Sequence, residues 1–358
     1  MVILGSTGSI GVNALSMAKR FSLNVDAICA KSNVELLNKQ IEEFNPRYVA
    51  IYDENLKEKV NHKSVFTGTQ GILEMIEIAY KKDAILINAL VGFAGLKPSL
   101  KAMELGYKLA LANKESLVVA GMFFDTSNII PIDSEHFGLW YLQNDKKIKK
   151  LIITASGGSF RDTPLDLLQN MSPENALNHP NWKMGKKITI DSATMTNKLF
   201  EILEAKWLFK TNKIDAIIET KSIIHALIDF EDGSTTAHMA NADMKLPIAY
   251  AILNKIDKPV LANVNLLDVK TLEFREICQN RYPIWQIKEL LLEKSELGVV
   301  INRANEEAIK LFFEGKVSFT DISNYSLNAI KKFENIKIFS IEDVFLADKE
   351  VEKFVKLM

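Results

Sequence analysis

The chain opens as an alternation of two hydrophobic patterns. "MVILG", "VDAICA", "RYVAIYD", "SVFTG", "AILINAL", "KLALAN" and "NIIPID" are short apolar runs of strand length, the pattern of strands buried on both faces. Between several of them, "VELLNKQIEEF", "TQGILEMIEIAYKK" and "LKPSLKAMELG" place apolar residues three and four apart, as helices do. Strands and helices alternating through short links predict an α/β domain with a doubly wound parallel sheet, ending at about Asp133.

Past Lys150 the rhythm changes. The strand "KKLIITAS" runs into a polar stretch over 156–185, "GGSFRDTPLDLLQNMSPENALNHPNWKMG" within it, whose length marks a lid or binding loop. "KKITIDSATM" then leads into an amphipathic helix, "TNKLFEILEAKWLF", with Leu199, Phe200, Leu203 and Trp207 on its buried face. "IIHALIDFEDGSTTAHMA" predicts a hairpin turning at Asp232-Gly233. From Pro283 the pattern is helical. The expected division is a nucleotide domain (1–133), an α+β domain (134–265), a linker (266–282) and a C-terminal helical domain (283–358).

Composition narrows the function classes. At 358 residues, 47% hydrophobic and 25% charged, the chain is globular and too long for one ordinary core. Forty-four basic residues against 45 acidic ones leave a net charge of −1, which speaks against nucleic acid or a membrane surface as partner. Any anion must then be met by a local cluster of donors. Two cysteines, Cys29 and Cys278, cannot build a disulfide framework and fit a reducing compartment. With no leader pattern before the first strand and no apolar run of transmembrane length, a cytoplasmic protein is expected.

Candidate chemistry starts at the first turn. Gly5, Gly8 and Gly11 of "GSTGSIG" lie three apart where strand becomes helix, a variant of the Rossmann-like dinucleotide fingerprint. Absent side chains let the backbone approach a pyrophosphate at a helix N-terminus, with Thr7 and Ser9 as further donors. A tight turn with glycines for packing alone is the plainer alternative. After the second strand, "CAKSNVE" offers Lys31, Ser32 and Asn33 and no acid before Glu35, which favours a 2′-phosphate and so NADP, unless Lys31 is simply solvated.

Two further clusters suggest a metal and a phosphate. In "PIDSEH", Asp133 and Glu135 are two apart at the end of a predicted strand, so their carboxylates point the same way. Adjacent carboxylates repel unless a cation sits between them or one stays protonated, and for a cation the hard oxygens imply Mg²⁺ or Mn²⁺. On the helix, Asn197, Glu201 and Glu204 share one face with Lys198 at its border, a spacing that an ordinary surface helix also has. Ser192 and Thr194 lie just upstream. Ser156, His179 and Trp182 stand in the polar stretch, where a tryptophan either closes over a ligand or staples the loop. His225 and His238 fall in hairpin strands and read as structural, and His62 lies in a charged surface stretch.

In order along nearly the whole chain, "GSTGSIG", "LANKESLV", "PIDSEH", "SGGSFRDTP", "HPNWKMG" and "IDSATMTNKLFEILEA" resemble the 1-deoxy-D-xylulose 5-phosphate reductoisomerase family. These are NADPH- and metal-dependent enzymes of non-mevalonate isoprenoid biosynthesis. The resemblance implies NADPH contacts at Thr7, Gly8, Ser9, Ile10, Lys31, Ser32, Asn33, Asn113, Glu115 and Gly185. It implies Mg²⁺ or Mn²⁺, with Co²⁺ as a third candidate, on Asp133, Glu135 and Glu201, and Glu204 as a neighbouring acid. Substrate contacts are implied at Lys114, Ser134, Glu135, Ser156, His179, Trp182, Ser192, Asn197, Lys198 and Glu201. The catalytic set is Lys114, Asp133, Glu135 and Glu201, and Trp182 is the lid residue.

The implied reaction rearranges and reduces 1-deoxy-D-xylulose 5-phosphate to 2-C-methyl-D-erythritol 4-phosphate, by fragmentation and recombination or by a direct shift. A homodimer is implied as well. The chain departs from the family at "FGLWYL" after "DSEH", at Leu199, where the family carries glycine, and at Lys31-Ser32-Asn33. Two rivals are weaker. Another NADP-dependent dehydrogenase, of a phosphorylated or semialdehyde substrate, is one; the semialdehyde class needs a nucleophilic cysteine opening a helix, a setting neither Cys29 nor Cys278 has. A non-catalytic NADPH-sensing protein would have no reason to keep three carboxylates and a phosphate cluster.

Overall fold

The computed structural model describes residues 1–253 and 255–358, in two compact units. The first comprises 1–116, 124–134 and 243–262. Its sheet is wholly parallel: β1 (Val2–Leu4), β2 (Ala27–Ala30), β3 (Tyr48–Ile51), β4 (Val65–Thr67), β5 (Ile85–Asn88), β6 (Lys108–Leu111) and β7 (Ile129–Pro131). Each lies within one of the apolar runs. The order β4-β3-β2-β1-β5-β6-β7 reverses direction beside β1, and ligands of such sheets bind at that switch point, outside the carboxyl ends of the strands. The helices α1 (Ser9–Arg20), α2 (Val34–Phe44), α3 (Gly68–Ala79) and α4 (Leu96–Leu105) connect the strands, and α5 (Lys114–Ala120) follows β6. Ile3, Ile28, Val49 and Ile87 pack with Ala14, Leu15, Ala18 and Leu37 in its core.

The second unit comprises 117–123, 135–242 and 263–358. Along the chain come α6 (Ser134–Leu142), β8 (Ile148–Ala155), α7 (Pro173–Ala176), α8 (Lys186–Thr194), α9 (Thr196–Phe209), β9 (Ile214–Glu219), β10 (Ile224–Phe230) and β11 (Thr235–Met239). The helix α10 (Lys245–Ile252) belongs to the first unit. Then follow α11 (Leu266–Val269), β12 (Phe274–Arg275), α12 (Lys288–Glu293), α13 (Gly298–Phe313), α14 (Phe319–Lys332) and α15 (Ile341–Lys356). The sheet order is β11-β10-β8-β9-β12, with β8 and β9 parallel and the hairpin β10–β11 antiparallel. Gly233 turns that hairpin at φ +87°. Among the described residues no helix is long and apolar enough to cross a membrane.

Three sequence expectations change and one open alternative closes. The plainer alternative for α9, a surface helix, does not hold: Lys198, Glu201 and Glu204 are as buried as Leu199, Phe200 and Leu203, while Trp207 is half-buried. Its polar side chains meet α6 and β8, Lys198 beside Glu135 and the Thr154 carbonyl and Glu204 beside His136, so that face is enclosed by other elements. The polar stretch after β8 is not free along its length either. Phe160, Leu168 and Ala176 are buried with Ile309, Phe312, Phe319 and Ile322, which anchors all but about the last ten residues. Glu135 stands in the first turn of α6 and not on a strand, because β7 ends at Pro131. The chain also divides differently: Asp243–Ala262 returns to the first unit, and the C-terminal helices share one compact unit with the α+β region.

Candidate active site

In the first unit the expected residues gather at the carboxyl ends of neighbouring strands. Thr7, Gly8, Ser9 and Ile10 form the turn after β1; Lys31, Ser32 and Asn33 follow β2; Asn113, Lys114 and Glu115 follow β6; Asp133 and Ser134 follow β7. The three glycines of the turn do different work. Gly5 has φ +78°, and a Cβ there would stand 2.5 Å from the Ala89 carbonyl oxygen. At Gly11 a Cβ would stand 2.3 Å from the Gly5 carbonyl oxygen. Both glycines serve close packing of backbone on backbone. Gly8 is exposed, and a Cβ would meet nothing nearer than 3.4 Å. It caps α1 without a side-chain hydrogen bond, so the first N–H groups of α1 face outward with no capping side chain, as an anion site requires. By contrast Asn33 caps α2 by accepting from the Leu36 N–H at 3.2 Å.

Sequence reasoning missed what holds this turn. Ser6 donates to the Gln40 side chain at 2.7 Å, and the Gln40 amide donates to the Ser6 carbonyl at 2.9 Å, both buried. Asn113 is likewise a scaffold residue: its amide donates to the carbonyls of Leu90 and Gly92 at 2.9 Å and to Glu115 at 3.1 Å. Lys31 and Ser32 are exposed. Lys114 is buried in an ion pair with Asp133.

In the second unit the break at Met195, φ +71°, ends α8 and starts α9 anew. The first turn of α9 thereby carries Asn197 and Lys198. The Asn197 amide donates to Glu201 Oε1 at 2.5 Å, and Lys198 Nζ donates to Glu201 Oε2 at 2.5 Å. Lys198 also lies 3.6 Å from Glu135 and donates to the Thr154 carbonyl at the end of β8. Glu204 does not join this group. It faces His136 Nδ1 at 3.2 Å, while His136 Nε2–H donates to the Glu201 carbonyl at 2.8 Å. His136 lay inside the quoted "PIDSEH" without a role, and it ties α6 to α9. Leu199 points fully into the core.

Beyond Thr154 the chain turns through Gly157 and Gly158, both at positive φ. A Cβ on Gly158 would stand 2.5 Å from the Ala193 Cα, so only glycine lets this loop lie on α8. That contact brings Ser156 and Ser192 onto one ring: His179 Nε2 is 2.8 Å from Ser156 Oγ and 3.2 Å from Ser192 Oγ. His179 Nδ1 accepts from the N–H groups of Asn181 and Trp182 at 3.1 and 2.9 Å, so the ring's proton sits on Nε2. Burial, aided by the Arg161 charge, pushes the His179 pKa down to about 4. The neutral ring has one Nε2–H to share between the two serine oxygens, which leaves both hydroxyls able to donate to an anion.

Arg161 and Asn181 also escaped sequence reasoning. Arg161 donates to the carbonyls of Ser156 and Thr220 at 2.9 and 3.0 Å, and the Asn181 amide donates to Thr220 and to Ser222 Oγ at 3.0 and 2.8 Å. The only available signal was their place inside "SGGSFRDTP" and "HPNWKMG". Trp182 is half-buried against His225, and Gly185 is exposed at the start of α8. Thr194 bonds to Thr196 inside the helix break, and His62 is bonded to Ser64 on the surface.

Models of 1-deoxy-D-xylulose 5-phosphate reductoisomerase match residues 1–121, and models of its C-terminal domains match 129–209 and 239–354. The chain is 56% identical to the 1-deoxy-D-xylulose 5-phosphate reductoisomerase of Nautilia profundicola, covering 99% of this chain and 98% of the other. It is 50% identical to that of Wolinella succinogenes, covering 99% of each. Among solved structures it resembles a DOX-P reductoisomerase in complex with NADPH, fosmidomycin and magnesium, with a TM-score of 0.90 at 30% identity over 99% of this chain and 97% of that one. A second likeness is the Zymomonas mobilis enzyme in complex with NADPH, with a TM-score of 0.87 at 29% identity over 99% and 97% of the two chains. From end to end, therefore, this chain belongs to the 1-deoxy-D-xylulose 5-phosphate reductoisomerase family.

Proposed function

We infer that the chain rearranges and reduces 1-deoxy-D-xylulose 5-phosphate to 2-C-methyl-D-erythritol 4-phosphate with NADPH and a divalent metal. Family membership over 99% of the chain carries the reaction. The observation that carries the site is Lys198, buried between Glu135 and Glu201 at the foot of the strand leading to Ser156.

We assign the phosphate to Ser156, His179, Ser192, Asn197 and Lys198. The two serine hydroxyls gathered on the His179 ring support this, as do the Asn197 amide and the Lys198 ammonium in the first turn of α9. We assign the metal to Asp133, Glu135 and Glu201. Two peptide links keep the Asp133 Cα within about 7 Å of the Glu135 Cα, and an all-carboxylate set suits Mg²⁺ or Mn²⁺. When bound, the metal supplies Lewis-acid polarisation of the substrate's oxygens, and NADPH supplies the hydride. Lys198 balances the carboxylates' charge, Lys114 orients Asp133, and Trp182 shields the reacting carbons from water. The open N-terminus of α1 takes the pyrophosphate of NADPH, and Lys31 with Ser32 takes its 2′-phosphate. A homodimer in a reducing compartment completes the proposal, the latter on two free cysteines.

Glu201→Gln tests the metal assignment. Turnover with substrate, NADPH and Mg²⁺ is expected to fall at least a thousand-fold, about 4 kcal/mol of transition-state stabilisation, with NADPH binding nearly unchanged. A near-normal rate in this variant would refute the assignment of Glu201.

A further inference from the structure

In the second unit five rings form one continuous column, of which only Trp182 belongs to the assigned site. Trp182 meets His225 edge to face, centroids 5.9 Å apart at 64°. His225 on β10 lies 5.9 Å from His238 on β11. Phe137 and Tyr141 of α6 then meet His238 at 5.3 and 5.4 Å, at 89° and 64°. Both histidines are buried, and the His225 Nε2–H donates to the Ala240 carbonyl at 3.1 Å. The outer contacts are edge to face, which fixes orientation as well as distance because a ring's positive edge seeks a negative face, while the two histidine rings are tilted at 45° and held by proximity.

The column is built into the sequence at its base. A Cβ on Gly138 would stand 2.9 Å from the Ala226 Cβ and 3.3 Å from the His238 Cβ, so glycine is what lets α6 lie on the hairpin at this depth. The run "FGLWYL" thereby supplies Phe137, Gly138 and Tyr141 together. The same helix carries Glu135 in its first turn.

We propose that His238 is a positioning residue for the lid: it holds the His225 ring, and through it the Trp182 indole, in one seat fixed to α6. The inference rests on the assignment of Trp182 as the lid. Without His238 the seat loses its backing, the indole samples more orientations, and closing over substrate costs more ordering.

The test reads seat and kinetics separately. Emission of Trp182 is taken as the difference between each protein and its Trp182→Phe counterpart, and its quenching by acrylamide is measured without ligands. His238→Ala is expected to raise that quenching about two-fold and the KM for 1-deoxy-D-xylulose 5-phosphate about five- to ten-fold, with NADPH affinity unchanged. His238→Phe, which keeps a ring, restores both. In a Trp182→Ala background the effect of His238→Ala on KM disappears. Unchanged quenching in His238→Ala overturns the proposal, as does an equal KM effect in both backgrounds. If His238→Ala does not fold, His238→Gln is held to the same outcomes. Kinetic silence of Trp182→Ala would sink the lid assignment itself, while the quenching measurement still decides whether His238 seats the indole.

Discussion

At the scale of single residues, His179 and Gly8 show how local geometry assigns roles. The His179 ring is held near pKa 4 in the folded chain against 6.5 for a free ring. Between those values the unfolded chain binds the extra proton, so this contribution to stability is full above pH 6.5 and is lost as pH falls toward 4. His179→Asn should therefore lose less Tm than the parent between pH 7 and 4.5, measured by calorimetry in the substrate-free protein; equal losses would mean the ring is not held neutral. The glycine turn offers a second separation. Gly8→Ala has room for its methyl and should keep the Tm while weakening NADPH about ten-fold or more, because only a ligand needs that space. Gly11→Ala collides with backbone and should cost about 1–3 kcal/mol of stability.

At the scale of an element, α9 is the helix whose context decides its meaning. Lys198 is the buried cation that offsets Glu201, which is 1% exposed, and Glu135 beside it. Lys198→Met leaves a buried carboxylate without that cation, a loss of about 3–5 kcal/mol. Because Mg²⁺ can replace the missing charge, added Mg²⁺ should raise the Tm of Lys198→Met more than that of the parent. Leu199→Ala provides the contrast. It opens a cavity costing about 2–5 kcal/mol, and its deficit should be indifferent to Mg²⁺. A Mg²⁺-independent deficit in Lys198→Met would count against Glu135 and Glu201 as ligands. The same element was legible as a helix from its spacing, but the polar stripe of a buried helix has the spacing of a solvated one. Hydrophobic periodicity reports which side is apolar and is silent on what covers the polar side.

At the scale of the whole molecule, the first unit is not contiguous in sequence. Ile248, Ala249, Ala251 and Ile252 of α10 are buried in the same core as Ile3 and Ile28, and α10 packs against α1. Burying each isoleucine is worth about 1.5–3 kcal/mol. A fragment ending at Ser134 is therefore expected to be markedly unstable, and fusing 243–262 to it through a flexible linker should restore a cooperative melt by circular dichroism. An equally stable 1–134 fragment would show that α10 is dispensable.

What the sequence determined by itself was whatever depends on neighbours along the chain. Seven strands, the helices between them, the hairpin at Asp232-Gly233 and the glycine turn after the first strand follow from period, turn chemistry and glycine placement, all local quantities. The order of "LANKESLV", "PIDSEH" and "HPNWKMG" was enough to place the family. Only the tertiary structure decided what depends on residues far apart in sequence. It showed that Phe160 and Leu168 tether the polar stretch, that Glu204 serves His136, and that α10 completes the first unit. It also separated Gly5 and Gly11, which backbone contacts require, from Gly8, which they do not. Burial and close approach are set by elements arriving from elsewhere in the chain, and no periodicity within one segment encodes what will be packed against it.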